Sequence, residues 1–348
     1  MPQLLDVKNL TIGIGKNDKI YNAVEGINFS IDEGEIAGLA GESGCGKTIT
    51  ALSILNLLPY GIKITDGEII YNGQVLTSMD EKQMRHIRGR EISMVFQDIR
   101  QSLNPLMKVG GQIIEMLELK NKYEQIKNDQ KVNKKIVKKQ NKSKVFEMLT
   151  LLGFENPQKI YNAYPHQLSG GMCQRILTAI AVICNPRLLL ADEPSSSLDE
   201  ESQERILSLI MDMNRTNKTS VLIISHDLSI IQKYCSRYLI MYAGKIIEEG
   251  PAASLYSPLH PYTKALINAI PEKEKRGQYL ENIPGKVPSI EDRIQGCPFA
   301  PRCGKAQRIC TETFPSAKLT ANRKVHCYFP QEDTGFAEIP CGTGDSVG

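Results

Sequence analysis

Gly41-Glu42-Ser43-Gly44-Cys45-Gly46-Lys47-Thr48 is the stretch whose reading decides the fold. Glycines at this spacing let successive backbone N–H groups turn inward around a β-phosphate, and the helix that follows adds its partial positive N-terminus. Lys47 is expected to reach the β- and γ-phosphates, and the Thr48 hydroxyl to ligate Mg²⁺. Glu42, Ser43 and Cys45 belong to the same nucleotide-binding loop, Cys45 at a free position as a small residue that fits. The context is the one this motif requires. Glu35–Ala40 reads as a short apolar strand entering the loop, and Thr48–Leu58 has helical spacing and stops before Pro59.

Upstream, Leu4–Leu10, Gly26–Ile31 and Glu68–Tyr71 read as strands separated by turn signals such as Asp32-Glu33-Gly34. From about 98 to 169 the character becomes helical, with amphipathic runs at Gly110–Leu119 and Lys144–Leu152. Between these lies Lys120–Lys144, with ten lysines against two acids, read as a solvated elongation of a surface helix or loop. Residues 172–250 alternate again: helix Gln174–Ile183, strand Leu188–Ala191, helix Glu201–Thr216, strand Ser220–Ser225 and helix Leu228–Cys235. Strands alternating with helices predict an α/β fold with a largely parallel sheet covered on both faces.

At 348 residues the chain is long enough for one large domain and an appendage. A net charge of +3 gives no global attraction to nucleic acid, and the lysine-rich segment lacks the interleaved aromatics of a strand-binding surface. Apolar stretches fall short of the roughly 20 residues that a membrane span needs, and the N-terminus lacks the layout of a secretion signal. The expected location is therefore the cytosol, with any membrane role supplied by a partner. Five of the nine cysteines fall after residue 296, and in a reducing compartment such clustering points to metal ligands before disulfides.

A nucleotide loop needs a carboxylate for the metal on a neighbouring strand. Leu188-Leu189-Leu190-Ala191-Asp192-Glu193 supplies it, with Asp192 holding Mg²⁺ through water and Glu193 polarising the attacking water as general base. Leu168-Ser169-Gly170-Gly171-Met172 sets a serine and two glycines at a helix N-terminus, a second anion cradle. One chain does not need two cradles for one γ-phosphate, whereas two chains facing head to tail do. Gln97 follows the strand Ile92–Phe96, where it can sense Mg²⁺ and the attacking water, and His226 follows Val221–Ser225, where it can contact the γ-phosphate.

Together these residues resemble the nucleotide-binding subunit of an ABC transporter: Walker A at Gly41–Thr48, Q-loop at Gln97, signature at Leu168–Met172, Walker B at Leu188–Glu193, D-loop at Ser197-Leu198-Asp199 and switch at His226. The resemblance covers about residues 1–250. It implies a RecA-like P-loop core with an inserted helical subdomain over about 98–171, working as a head-to-tail dimer around two ATPs. It also implies a second, similar but non-identical ATPase, two membrane permeases and an extracytoplasmic binding protein, at the cytoplasmic face of the membrane. Glu193 and His226 are both present, as in a hydrolysing subunit. The adenine-stacking position aligns on Ile14 rather than an aromatic. Tyr21, the aromatic near it, is either the stacker or a strand-edge tyrosine. A soluble ABC protein of DNA repair or translation is disfavoured, because the chain has neither long coiled coils nor a second cassette.

Beyond residue 250, Leu259-His260-Pro261-Tyr262-Thr263, Ile283–Ser289 and Gly296–Cys303 resemble the C-terminal region of oligopeptide/dipeptide importer ATPases, over about 251–330. That resemblance implies peptide cargo, with nickel, metal chelates or sugars as the alternative. Cys297, Cys303, Cys310 and Cys327 are separated by five, six and sixteen residues, a set of thiolates able to enclose one Zn²⁺ or an iron–sulfur cluster. The spacing is unlike that of zinc ribbons, and the family resemblance implies a [4Fe–4S] cluster. His326, beside Cys327, is an alternative ligand. Residues 331–348 read as a flexible tail, in which Cys341 would be a free thiol.

Overall fold

Side chains alternate across a strand, so a strand apolar at every position must be covered on both faces. Ile36–Ala40, Leu188–Asp192 and Ser220–Ser225 are buried at every position. Leu188, Leu190, Leu222 and Ile224 enter one core cluster, whereas Leu189, Ala191, Val221 and Ile223 enter another. Those two clusters are the layers of the molecule. The computed structural model describes residues 2–97, 102–128, 134–196, 198–269, 283–292, 294–320 and 322–332. Ser197, Cys341 and most of the proposed tail lie outside the described residues.

The chain opens with a long hairpin, β1 (Gln3–Lys16) and β2 (Lys19–Asp32), turned at Asn17 and Asp18, both at positive φ. Both strands run past the expected segments, because a two-residue turn of this kind matches the twist of its strands and lets pairing continue to the tip. β3 (Ile36–Ala40), the glycine loop and α1 (Lys47–Ile54) follow. The helix ends before the expected Leu58. Next come β4 (Ile62–Tyr71), β5 (Gln74–Val75), α2 (Glu81–Ile87) and β6 (Ile92–Val95).

The helical segment consists of α3 (Val109–Asn128), α4 (Lys134–Leu151), α5 (Pro157–Asn162) and α6 (Gly170–Val182). The lysine-rich run is helical over its described parts, an elongation of α3 and α4. Alternation then resumes with β7 (Leu188–Asp192), α7 (Glu200–Asn217), β8 (Ser220–Ser225), α8 (Leu228–Tyr234), β9 (Arg237–Tyr242) and β10 (Lys245–Pro251). The C-terminal region adds α9 (Pro261–Asn268), α10 (Arg308–Glu312), β11 (Lys318–Thr320) and β12 (Arg323–Val325). The two short strands were not legible as such in a turn-rich sequence.

Two sheets result. One is four-stranded and antiparallel, in the order β2-β1-β4-β5; the other is eight-stranded, in the order β11-β12-β10-β9-β3-β8-β7-β6. Strands β9, β3, β8, β7 and β6 are parallel, and β10, β12 and β11 continue the sheet antiparallel. One face of the large sheet packs on α1 and the antiparallel sheet, the other on the helical segment and α7.

A third cluster joins β9 and β10 to the C-terminal region through Tyr238, Tyr242, Tyr262 and Phe299. At its centre the fully buried Glu248 accepts hydrogen bonds from the Tyr238 hydroxyl at 2.9 Å and from the backbone N–H groups of Leu259 at 2.9 Å and His260 at 2.8 Å. Glu248→Ala strands these donors in the interior and is expected to cost about 3 kcal/mol or more. Thermal unfolding measures that loss, and limited proteolysis should find cleavage after Pro251 accelerated ahead of cleavage in the core.

Candidate active site

Parallel register brings the site together. Val95 pairs with Ala191, Asp192 with Ile224, and Ala40 with Ser225, so β6, β7, β8 and β3 end at the same edge. Gln97, Glu193, His226 and the glycine loop all emerge there, where ligands bind in open α/β sheets.

In the loop, the Lys47 ammonium is buried and donates to the carbonyls of Gly41 at 2.8 Å and Glu42 at 3.1 Å. A Cβ on Gly41 would lie 2.1 Å from the Met241 carbonyl oxygen, so only glycine permits this approach to β9. Gly46, at φ 114, caps α1 without a side chain. Cys45 is fully buried, and burial pushes its thiol pKa up, consistent with a packing role.

The two acids at the end of β7 face different partners. Asp192 accepts a hydrogen bond from the Thr48 side chain, and burial pushes its pKa up. Its Oδ2 is buried without a partner. A buried carboxylate with a free oxygen beside a hydroxyl is the donor set of a hard divalent cation, so Thr48 and Asp192 fit Mg²⁺. Glu193 has φ 47, a left-handed conformation that turns its side chain out of the strand's alternation. Gln97 Nε2 donates to Glu193 Oε2 at 3.0 Å, and His226 Nδ1 lies 3.0 Å from Oε1. The carboxylate is thus held from both sides at the mouth of the site, an arrangement suited to orienting and deprotonating a water.

The signature serine and Asp199 stand apart from this network. Ser169 caps α6 by accepting from the Met172 N–H at 3.3 Å, and Asp199 caps α7 through Ser202. A Cβ on Gly170 would meet open space. Ser169 and Gly170 face solvent. Ile14 pairs directly across the hairpin with Tyr21, which sets both on one face.

Cys297, Cys303, Cys310 and Cys327 line one small cavity together with His260 and Lys305. Burial above all, then the neighbouring thiols, pushes Cys297 up to about 12. The four therefore converge, as soft-metal ligands must. Among the described residues, however, no three His, Cys, Asp or Glu side chains stand arranged to hold a metal ion. His326 does not line that cavity: its Nδ1 meets the Pro315 carbonyl at 2.9 Å, and its ring stacks on Phe314. The histidine beside the thiols is His260, with Nε2 3.9 Å from Cys297 Sγ.

Sequence reasoning missed three further contacts. Gln174 donates to the Pro194 carbonyl at 3.0 Å and ties the signature helix to the acidic strand end. Tyr262 and Arg302, far along the chain, both grip Glu42 in the glycine loop. No local pattern announces such long-range pairs.

A model described as "ABC transporter" matches residues 24–196, and one described as "Oligopeptide/dipeptide transporter, C-terminal region" matches 247–310. The chain is 41% identical over 90% of its length to a probable peptide ABC transporter ATP-binding protein, y4tR, of Sinorhizobium fredii, and covers 90% of it. It is 39% identical to the dipeptide transport ATP-binding protein DppD of Bacillus subtilis, over 97% of this chain and 98% of that one. The oligopeptide transport ATP-binding protein AppD of the same organism is 40% identical, over 96% and 98%. Among solved structures, the dimeric ATP-binding cassette MJ0796 in a post-hydrolysis state with ADP and Pi superposes with a TM-score of 0.63 at 26% identity, covering 72% of this chain and 99% of that one. Among the described residues no helix is long and apolar enough to cross a membrane.

Gly41→Ala is expected to force the loop or β9 aside at about 1–3 kcal/mol and to displace the carbonyls that hold Lys47. Nucleotide titration alongside thermal unfolding should find binding lost while most of the fold's stability remains.

Proposed function

The chain belongs to the ABC transporter ATP-binding proteins, and on that premise we propose that it is the ATP-hydrolysing subunit of an importer of di- and oligopeptides. The carrying observation is the pairing of an ABC transporter match over residues 24–196 with a C-terminal region of the oligopeptide/dipeptide type over residues 247–310. Relatives named for dipeptide and oligopeptide transport favour peptides over nickel or metal chelates.

In this reading the backbone of Ser43–Gly46 and the Lys47 ammonium bind the phosphates, while Tyr21, opposite Ile14, stacks on the adenine. Thr48 and Asp192 would hold Mg²⁺, which neutralises phosphate charge when bound. Gln97 and His226 fix the Glu193 carboxylate, and Glu193 takes the proton of the water that attacks the γ-phosphorus as the bond to the β–γ bridging oxygen breaks. Ser169, Gly170 and Gly171 complete the γ-phosphate site of a facing chain, with Asp199 at the seam. The facing chain is a second, non-identical ATPase. Two permeases dock near Gln97, and a binding protein outside the membrane selects the peptide. The subunit is accordingly peripheral to the inner face of the membrane.

The four C-terminal cysteines are proposed to hold a [4Fe–4S] cluster, with Zn²⁺ as the alternative. Support comes from their convergence on one cavity in a region otherwise poor in regular structure. The thiols must deprotonate and turn inward on loading. Protein purified without oxygen is expected to be coloured and to contain about four irons per chain; a colourless protein with one zinc would overturn the cluster.

Glu193→Gln is expected to lower ATP turnover by about 10²–10⁴-fold and to leave an ATP-bound dimer that persists on size exclusion. Substantial residual turnover would mean that another base acts. For cargo, cells lacking this chain are expected to lose uptake of labelled di- and tripeptides while still taking up free amino acids. Unchanged peptide uptake would refute the peptide assignment.

A further inference from the structure

We propose that Tyr262 and Arg302, both outside the glycine loop, are positioning residues that set Lys47 for the nucleotide phosphates. The inference rests on the ATPase reading above and extends it to the C-terminal region. Its basis is a continuous set of contacts through one peptide unit. The carbonyl of Gly41 accepts from Lys47 Nζ at 2.8 Å, and the N–H of Glu42, on the same peptide, donates to the Tyr262 hydroxyl at 2.9 Å. That peptide is held on both sides. The next carbonyl, of Glu42, accepts from Lys47 at 3.1 Å.

The Glu42 side chain is fixed in turn. Arg302 Nη1 lies 2.8 Å from Glu42 Oε2, and Nη2 lies 3.3 Å from Oε1, a two-pronged pair. The guanidinium itself has little freedom. Its side chain is 6% exposed, and it also donates to the Tyr242 hydroxyl at 3.1 Å and to the carbonyls of Pro284 at 2.7 Å and Ile283 at 3.2 Å. Tyr262 is equally constrained: it is fully buried, with its ring centroid 4.5 Å from that of Tyr242 and 5.3 Å from that of Phe299.

A lysine on a flexible stem is an imprecise ligand unless its surroundings fix it. Here two loop carbonyls aim the ammonium, and the C-terminal region aims the carbonyls. Residues remote in sequence thereby become part of the phosphate site without touching the nucleotide.

The test uses the purified full-length protein, a fluorescent ATP analogue, steady-state ATPase kinetics and thermal unfolding. Tyr262→Phe keeps the ring and removes only the hydroxyl, and Arg302→Gln removes the fork. Each is expected to weaken nucleotide binding and raise KM by about five- to tenfold, with a smaller fall in kcat. Arg302→Lys should recover only part of the loss, because a single ammonium cannot reproduce the fork. Tyr238→Phe is the control. Its hydroxyl bonds Glu248 at 2.9 Å within the same buried layer but does not touch the loop, so it should lower the melting temperature and leave nucleotide binding unchanged. Wild-type binding by Tyr262→Phe overturns the proposal, and that variant alone decides should Arg302→Gln not fold. Equal weakening by Tyr238→Phe also overturns it, since the effect would then be general loosening. A wild-type protein that binds no nucleotide would overturn the ATPase reading itself.

Discussion

Everything at the active site depends on four parallel strands ending level with one another. A parallel ladder fixes register residue by residue, and a slip by one would turn each apolar side chain toward the wrong layer. Because β3, β8 and β7 are buried on both faces, such a slip would force both close-packed layers to repack at once. Gln97, Glu193, His226 and the glycine loop come from segments up to nearly two hundred residues apart, yet each needs only to lie one or two residues past its strand. The hydrophobic layers therefore do the positioning, and the polar residues take what the strand ends offer.

Adjacent acids illustrate how that offer is refined. Asp192, the last residue of β7, keeps the strand's alternation and reaches Thr48. Glu193 would point to the opposite face if the strand continued. Its left-handed backbone, φ 47, breaks the alternation and swings the carboxylate toward Gln97 and His226. A non-glycine residue in that conformation carries strain of about 1–3 kcal/mol, offset by its backbone hydrogen bond to Ile224 at 2.9 Å and by the packed strand behind it. Two carboxylates one residue apart acquire different surroundings: one buried beside a hydroxyl, the other gripped at the surface.

Most of this was legible in the sequence, because local rules encode it. The glycine loop, the apolar run ending in two acids, and the Gln and His just after strands are each readable within a dozen residues. The placement of Gln97, Glu193 and His226 just after strands was also legible, whereas the strand order that brings the three side chains into contact was not. What escaped were pairings whose partners lie far apart along the chain. Glu42 reads as a residue of the phosphate loop, with nothing local to point to Arg302 against it, and the sequence offers His326 only as an alternative ligand, whereas packing brings His260 to the thiols. The full length of the hairpin β1–β2 was not legible because Asn17-Asp18, which makes its two-residue turn, is a weaker signal than a pair containing glycine. The strands β11 and β12 were hidden in a segment where prolines and cysteines mask any alternation.

Those two small strands bear on how the molecule keeps its own company. A sheet ending at β10 would offer a row of open N–H and C=O groups to any other chain, the usual template for indiscriminate edge-to-edge growth. β12 covers that row, pairing with Glu248 and Glu249, and leaves as the outermost strand only the three exposed residues Lys318–Thr320. At the far margin, the four residues of β6 lie under α6 and are buried throughout. Both margins of the large sheet are thus short, charged or covered. The large sheet has closed itself against growing side to side.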